Sequence, residues 1–360
     1  MKKWIAWALS ACLLLSGCSA WLDGSYHSTT PHQEKENQSA GDMVAVSSYS
    51  ALYRELIKLI HSGATNGLFS VRNYNQLVVA RDMTTVVQRA RSVDPIGAYA
   101  VKDIDFDLGT NAGQPAIAVR ISYNHDRAEL GKIKHLENAK QAEQVIAEAL
   151  NNCESGIVLR VKEYDGVDLG RWAEDYSDAN PDRVMEKPRV AVSLYPNTGE
   201  DRVVELKFSY QNSRETLRSM QGQVQNRIQH LITDAKQEQT QQEKYALVQK
   251  MIAQDIIGFS SSITPAYSLL IHGVGDSGAI SKLFTAICRQ LDLTCITVTG
   301  TWEGNPRHWN IVSLGGAYFH VDVLRAVGTE MLTMKTDDQM DGYVWDYSAY
   351  PACTGVPGTG

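Results

Sequence analysis

Residues 266–284 read Ala266-Tyr-Ser-Leu-Leu-Ile-His-Gly-Val-Gly-Asp-Ser-Gly-Ala-Ile-Ser-Lys-Leu-Phe284. The stretch divides at Gly273-Val274-Gly275. Beyond it, apolar residues at Ile280, Leu283, Phe284, Ile287 and Leu291 recur at the spacing of one helix face. Asp276 stands just before that run, where a carboxylate can accept hydrogen bonds from the free N–H groups of a first helical turn. Ser277 therefore falls in the first turn, where the helix dipole favours negative charge. The glycine pair is no phosphate loop, because the lysine and the spacing of one are absent.

Outward from this helix, Tyr245, Val248, Ile252 and Ile256 mark an amphipathic helix over residues 245–257. Lys236 to Lys244 is polar and fits either a linker or an exposed helical turn. Farther upstream lies an internal repeat. Ile121-Ser-Tyr-Asn-His-Asp-Arg-Ala-Glu-Leu130 matches Phe208-Ser-Tyr-Gln-Asn-Ser-Arg-Glu-Thr-Leu217 at an offset of 87 residues. Each match ends an alternating strand, preceded by another strand and a glycine-containing turn, at Asn111-Ala-Gly113 and Asn197-Thr-Gly199. Each precedes a helix with a capping signal, Asp126 with Glu129 and Asn212 with Glu215. The second helix carries Leu217, Met220, Val224, Ile228 and Leu231 on one face; another helix is marked by Leu52, Leu56, Leu59 and Ile60. The expected fold class is α+β. Two β-hairpin-plus-helix repeats over residues 45–235 form a packing platform, followed by a helix and antiparallel-sheet domain over 241–355.

The segment 241–355 resembles bacterial transglutaminase-like proteins, relatives of papain-type cysteine proteases. The likeness is carried by Ala266-Tyr267, Gly273-Val-Gly275 and the helix after it, Thr299-Gly-Thr301, Trp309-Asn-Ile-Val312, Gly315-Gly316 and Tyr318-Phe-His-Val-Asp-Val323. Gly342-Tyr-Val-Trp-Asp346 and Tyr350-Pro-Ala-Cys353 resemble the end of such lipoproteins. The resemblance implies a nucleophilic cysteine at the helix start, a strand histidine as base and an aspartate as its orienter, the general logic of a hydrolytic triad. This chain departs from that pattern twice. Position 277 holds Ser277, and with Trp309-Asn310 fixed the base position falls on Arg307, not a histidine. Only Asp322 matches the triad directly. His308 is one residue out of step, and a one-residue shift on a strand sends a side chain to the opposite face, so His308 should point away from Ser277 unless a bulge re-aims it. His320 shares a face with Asp322 but is a poor substitute base. A serine hydroxyl needs a positioned base, and a guanidinium cannot accept a proton.

Two functions follow. In the first, the domain is a non-catalytic transglutaminase-like module that binds a peptide or cell-wall fragment or scaffolds a partner. In the second, Ser277, His308 and Asp322 form the triad of a serine-dependent acyl-transfer or peptide hydrolase. The degenerate positions favour the first. Nothing in the sequence implies a cofactor or a metal: no Cys/His cluster has zinc-ligand spacing, His27 and His32 read as solvated, and Asp337, Asp338 and Asp341 lack the alternation of a calcium loop and read as a solvated turn. Trp302 and Trp309 suit either a core or a ligand-stacking role.

The amino terminus sets the compartment. Lys2 and Lys3 precede a 12-residue apolar run, Trp4 to Leu15, too short to span a bilayer, and then Leu15-Ser-Gly-Cys18. The layout is that of a secretory signal, and the tetrapeptide resembles a bacterial lipobox, which implies cleavage after residue 17 and a lipid on Cys18. Residues 18–44 are polar and read as a flexible tether. An extracytoplasmic protein held on the membrane through Cys18 is the expectation. Four further cysteines, Cys153, Cys288, Cys295 and Cys353, allow three pairings or none. A net charge of −7 argues against a nucleic-acid partner and gives no help in binding anionic lipid.

Overall fold

The computed structural model describes residues 43–327 and 332–356. Cys18, the signal and most of the tether lie outside these residues. No described helix is long and apolar enough to cross a membrane.

The fold is mixed α+β and holds three four-stranded sheets. The first unit runs β1 (Val44–Ala45), α1 (Tyr49–Ser62), β2 (Asn66–Ser70), α2 (Val79–Ser92), α3 (Pro95–Ala100), β3 (Val101–Asn111), β4 (Gln114–Tyr123) and the single turn α4 (Arg127–Leu130). The second runs β5 (Lys134–Asn138), α5 (Ala139–Asn151), β6 (Gly156–Glu163), α6 (Leu169–Ala179), β7 (Arg189–Tyr195), β8 (Arg202–Ser209) and α7 (Arg214–Ala235). Their sheets have the same order, β1-β2-β4-β3 and β5-β6-β8-β7. In both, the first pair is parallel and bridged by a helix, and the other pairs are antiparallel. The repeat is therefore larger than a hairpin plus helix: each unit is β-α-β-α-β-β, with the hairpin as its second half.

Local chemistry explains these elements. Ser48 caps α1, Leu52, Leu56 and Ile60 are buried along one face, and Gly63 ends it at φ 69°, a conformation costly for a residue with a side chain. Asp126 and Glu129 make the reciprocal capping box expected of them, although α4 lasts only one turn. At the start of α7 the cap is Ser213, which accepts from the Thr216 N–H, rather than Asn212. The Asn212 side chain is instead held by buried Glu186.

The remaining chain forms α8 (Gln241–Ala253), α9 (Pro265–His272), α10 (Ser277–Gln290), β9 (Cys295–Trp302), β10 (Asn305–Leu314), β11 (Ala317–Val321) and β12 (Tyr343–Trp345), in a wholly antiparallel sheet of order β11-β10-β9-β12. A Thr240–Glu243 capping box starts α8 ahead of the expected boundary, and the helix ends at Ala253, so Ile256 lies beyond it. Leu217, Val224, Ile228 and Leu231 of α7 share one core with Tyr245, Val248, Leu283 and Phe284. The two faces of β10 separate the chemistry. Asn310 and Val312 turn toward α10. Trp309 and Ile311 turn to the opposite core with Val298, Tyr343 and Trp345.

Candidate functional site

The turn into α10 is fixed by backbone needs. Gly273 ends α9 at φ 67°, and a Cβ there would stand 2.1 Å from the Asp255 carbonyl oxygen, so only glycine fits. Asp276 then caps α10, accepting from the Ala279 N–H at 2.8 Å. Ser277 is the first residue of the helix. Its Oγ accepts a 3.2 Å hydrogen bond from the backbone N–H of His308.

On the opposite face of β10, the Arg307 guanidinium grips Asp322. Nε donates to Oδ2 at 2.9 Å, and Nη2 donates to Oδ1 at 2.9 Å and to Oδ2 at 2.7 Å. Both side chains are largely shielded from solvent, 12% and 8% exposed. The Tyr343 hydroxyl donates to Asp322 Oδ2 at 2.6 Å, and burial followed by the Asp322 carboxylate pushes its pKa up. Trp302 receives two guanidiniums near its ring, Arg325 at 4.6 Å and Arg307 at 5.8 Å from the centroid. Tyr343 and Arg325 belong to segments that pattern reading did not connect with position 307. Nothing in their local sequence signals this; only the folded sheet brings them together.

Contrary to the expectation that His308 would turn away from Ser277, it pairs with Thr299 without a bulge and lies on the α10 side of the strand, because strand alternation gives that face to His308 and Asn310 and the other to Arg307 and Trp309. Its Nδ1 is 3.5 Å from where a Cβ on Gly278 would sit, so the ring covers the first turn of the helix. Among the described residues the imidazole makes no hydrogen bond; it meets Ser277 through its backbone alone. Burial, and then the charge of Lys282, holds its pKa below the usual histidine value. Ser277 and His308 thus meet on the α10 side of β10 while Asp322 is held by Arg307 on the other, and the three are not linked as nucleophile, base and orienter.

Beside His308 opens a cavity of about 650 Å³ between α10 and the second repeat. Lys282 and Lys187 both bind Asp178 from this wall, at 3.2 and 2.7 Å. Burial alone would raise the Asp178 pKa, and the two lysines outweigh it and lower it. Ile263 and Pro265 complete an apolar side. Asp178 and Lys187 lie about a hundred residues before Ser277, and no spacing in the sequence connects them.

Behind this face, Trp309 is core at 1% exposure. Its indole Nε1 donates to His320 Nδ1 at 2.9 Å. Indole is a donor only, so Nδ1 must carry the lone pair and Nε2 the hydrogen. Nε2 lies 2.8 Å from Asp337 Oδ1, to which it donates, while Asp337 Oδ2 accepts from the Cys353 N–H at 2.9 Å. Asp337 is therefore a structural anchor, not the solvated residue expected of its turn. His320, Asp337 and Cys353 bring three potential metal ligands within 4.8 Å. Ligation through Nε2 would require Nδ1 to carry a hydrogen facing the Trp309 N–H, and burial lifts the Cys353 thiol to about 12. The trio fits a hydrogen-bonded pin rather than a metal site. All four described cysteines are free thiols.

No protein-family model matches this chain, and no curated protein matches it. Among solved structures, one described as the crystal structure of a TGase is 10% identical, with a TM-score of 0.26, over 62% of this chain and 66% of that one. The chain spans just under two thirds of that structure's length. The likeness is weak.

Proposed function

We propose that this protein is an exported lipoprotein, held on the membrane through Cys18, whose transglutaminase-like segment is a non-catalytic binding module. Arg307 carries the proposal. At the sequence position where the resemblance calls for a base stands a guanidinium that is committed to Asp322 on the face of β10 away from Ser277, and a guanidinium cannot take the proton of a hydroxyl. The cavity beside His308, with apolar walls and lysines and carboxylates in alternation, suits a short peptide or cell-wall peptide fragment.

One observation favours a second reading. The His308 ring is half-buried, shifted toward its neutral form and packed against Gly278, the neighbour of Ser277, so a small movement on ligand binding would make it a base for a serine hydrolase. A serine-reactive fluorophosphonate probe separates the two. The non-catalytic module takes up no probe. Labelling of the wild-type protein that disappears in Ser277→Ala overturns the proposal in favour of the hydrolase.

A further inference from the structure

At the edge of the second sheet, β7 pairs with β8 alone. Among the described residues no other hydrogen bond reaches its backbone. Such a strand presents a free N–H and C=O at every second residue, a template for another chain, and proteins usually blunt it. The other edges here are blunted. β1 has two residues and β12 three. β3 carries Lys102, Asp103, Asp105 and Asp107, and β5 carries Lys134 and Glu137. β11 takes a bridge from Lys335. Among the described edge strands β7 alone is long and, after its first residue, uncharged: Val190-Ala-Val-Ser-Leu-Tyr195. Pro188 and Pro196 stand just outside it, so the free edge is the strand itself.

The two ends of β7 differ. Tyr195 packs on Tyr99 of the first repeat, with ring centroids 5.4 Å apart. Toward the other end Ala191 and Val192 are exposed, and Arg189 and Val190 line the cavity beside His308. The open part of the edge therefore leads into that cavity. Lys187 is committed to Asp178, but Arg189 is exposed and has no ion-pair partner among the described residues. A row of free backbone groups is complemented by an extended polypeptide, and a free guanidinium by a carboxylate. In antiparallel pairing, the commoner arrangement, the carboxyl end of an added strand lies beside Arg189. A second copy of this chain fits less well, because its β7 carries no acidic residue to meet Arg189.

We propose that β7 takes up an extended peptide of another protein as an added antiparallel strand, with the peptide's terminal carboxylate at Arg189, where the cavity begins. This deepens the reading of the cavity as a peptide site and rests on it: the strand edge supplies main-chain affinity, and Arg189 selects the end of the peptide that reaches the cavity.

The test is fluorescence anisotropy and hydrogen–deuterium exchange on the full mature chain, with the peptide Thr-Val-Thr-Val-Thr-Val, dye-labelled at its amino end, as the probe. Saturable binding is expected, with slowed exchange over β7. Two N-methylated forms, one blocked at the threonine amides and one at the valine amides, should differ. Only alternate amides face β7, so one form loses affinity tenfold or more and the other keeps it. Amidating the peptide's carboxyl end, or Arg189→Ala, should each weaken binding about threefold to fivefold, the scale of one exposed ion pair. The two changes together should do no more than either alone. A peptide that binds without slowing exchange in β7, or that both methylation patterns weaken equally, overturns the added strand and leaves the cavity reading in place. Absence of saturable binding overturns the added strand, while the non-catalytic reading of Ser277 is decided separately by the fluorophosphonate probe. Exchange over β7 that slows with rising protein concentration in the absence of peptide assigns the edge to a second copy and also overturns the proposal.

Discussion

Asp322 receives Arg307 through two nitrogens, the Tyr343 hydroxyl, and the Arg325 N–H of the turn it caps. At 8% exposure it depends on the guanidinium for its charge balance. Removing one partner of a buried ion pair leaves an uncompensated charge, which costs about 3–5 kcal/mol, whereas replacing the whole polar group with apolar side chains of similar volume is far milder. Arg307→Met alone should therefore cost about 3–5 kcal/mol in urea unfolding. The combination Arg307→Met, Asp322→Leu and Tyr343→Phe should cost less than that single change. A single-variant loss below about 1 kcal/mol, the scale of an exposed pair, would show that the pair is solvated in solution. Strand alternation makes part of this residue chemistry legible, since it places Arg307 with Trp309 and opposite His308. It does not reveal Tyr343 or Arg325, because both reach Asp322 through tertiary packing.

At the scale of elements, β10, β11 and the C-terminal segment are pinned together through one buried ring. Trp309 donates to His320, and His320 donates to Asp337, which also holds the Cys353 N–H. The alternation of β11 is readable in the sequence. The role of Asp337 is not, because it lies 17 residues beyond His320 and its run of acidic neighbours resembles an exposed turn. Burial holds the His320 pKa below its usual 6.5, although Asp337 pulls the other way. The folded state thus binds a proton less readily than the unfolded chain, and stability rises with pH across the interval between the two pKa values. His320 stabilisation is complete above about 6.5 and is lost as pH falls through the lowered folded value. His308 and His135 shift in the same direction and add to the slope. The melting temperature should drop from pH about 7.5 to about 5, and His320→Asn, which keeps an acceptor for the indole, should melt lower at pH 7.5 but lose less on acidification. An equal drop in wild type and variant rules His320 out as a source of the pH dependence.

Across the whole molecule, the repeat and the final segment meet through α7. The hairpin half of each repeat is visible in the sequence because β3, β4, β7 and β8 alternate around glycine turns. The parallel half is not: β1 has two residues and β5 five, too short for periodicity to register. Nor does the polar stretch 236–244 mark an energetic boundary. The apolar face of α7 passes into the core of α8 and α10, with Leu217, Val224, Ile228 and Leu231 all 2% exposed or less. Burying each such side chain contributes about 1.5–3 kcal/mol, so the four together rival the roughly 5–15 kcal/mol that stabilises a typical domain. A fragment of residues 241–360 should consequently bind a hydrophobic dye and melt without a sharp transition. A fragment of residues 213–360, which restores the Ser213 cap and all of α7, should recover a cooperative melt by circular dichroism. A cooperative transition in the shorter fragment would mean that the segment resembling a transglutaminase closes its core without α7, and that the repeat before it contributes a surface rather than part of the fold.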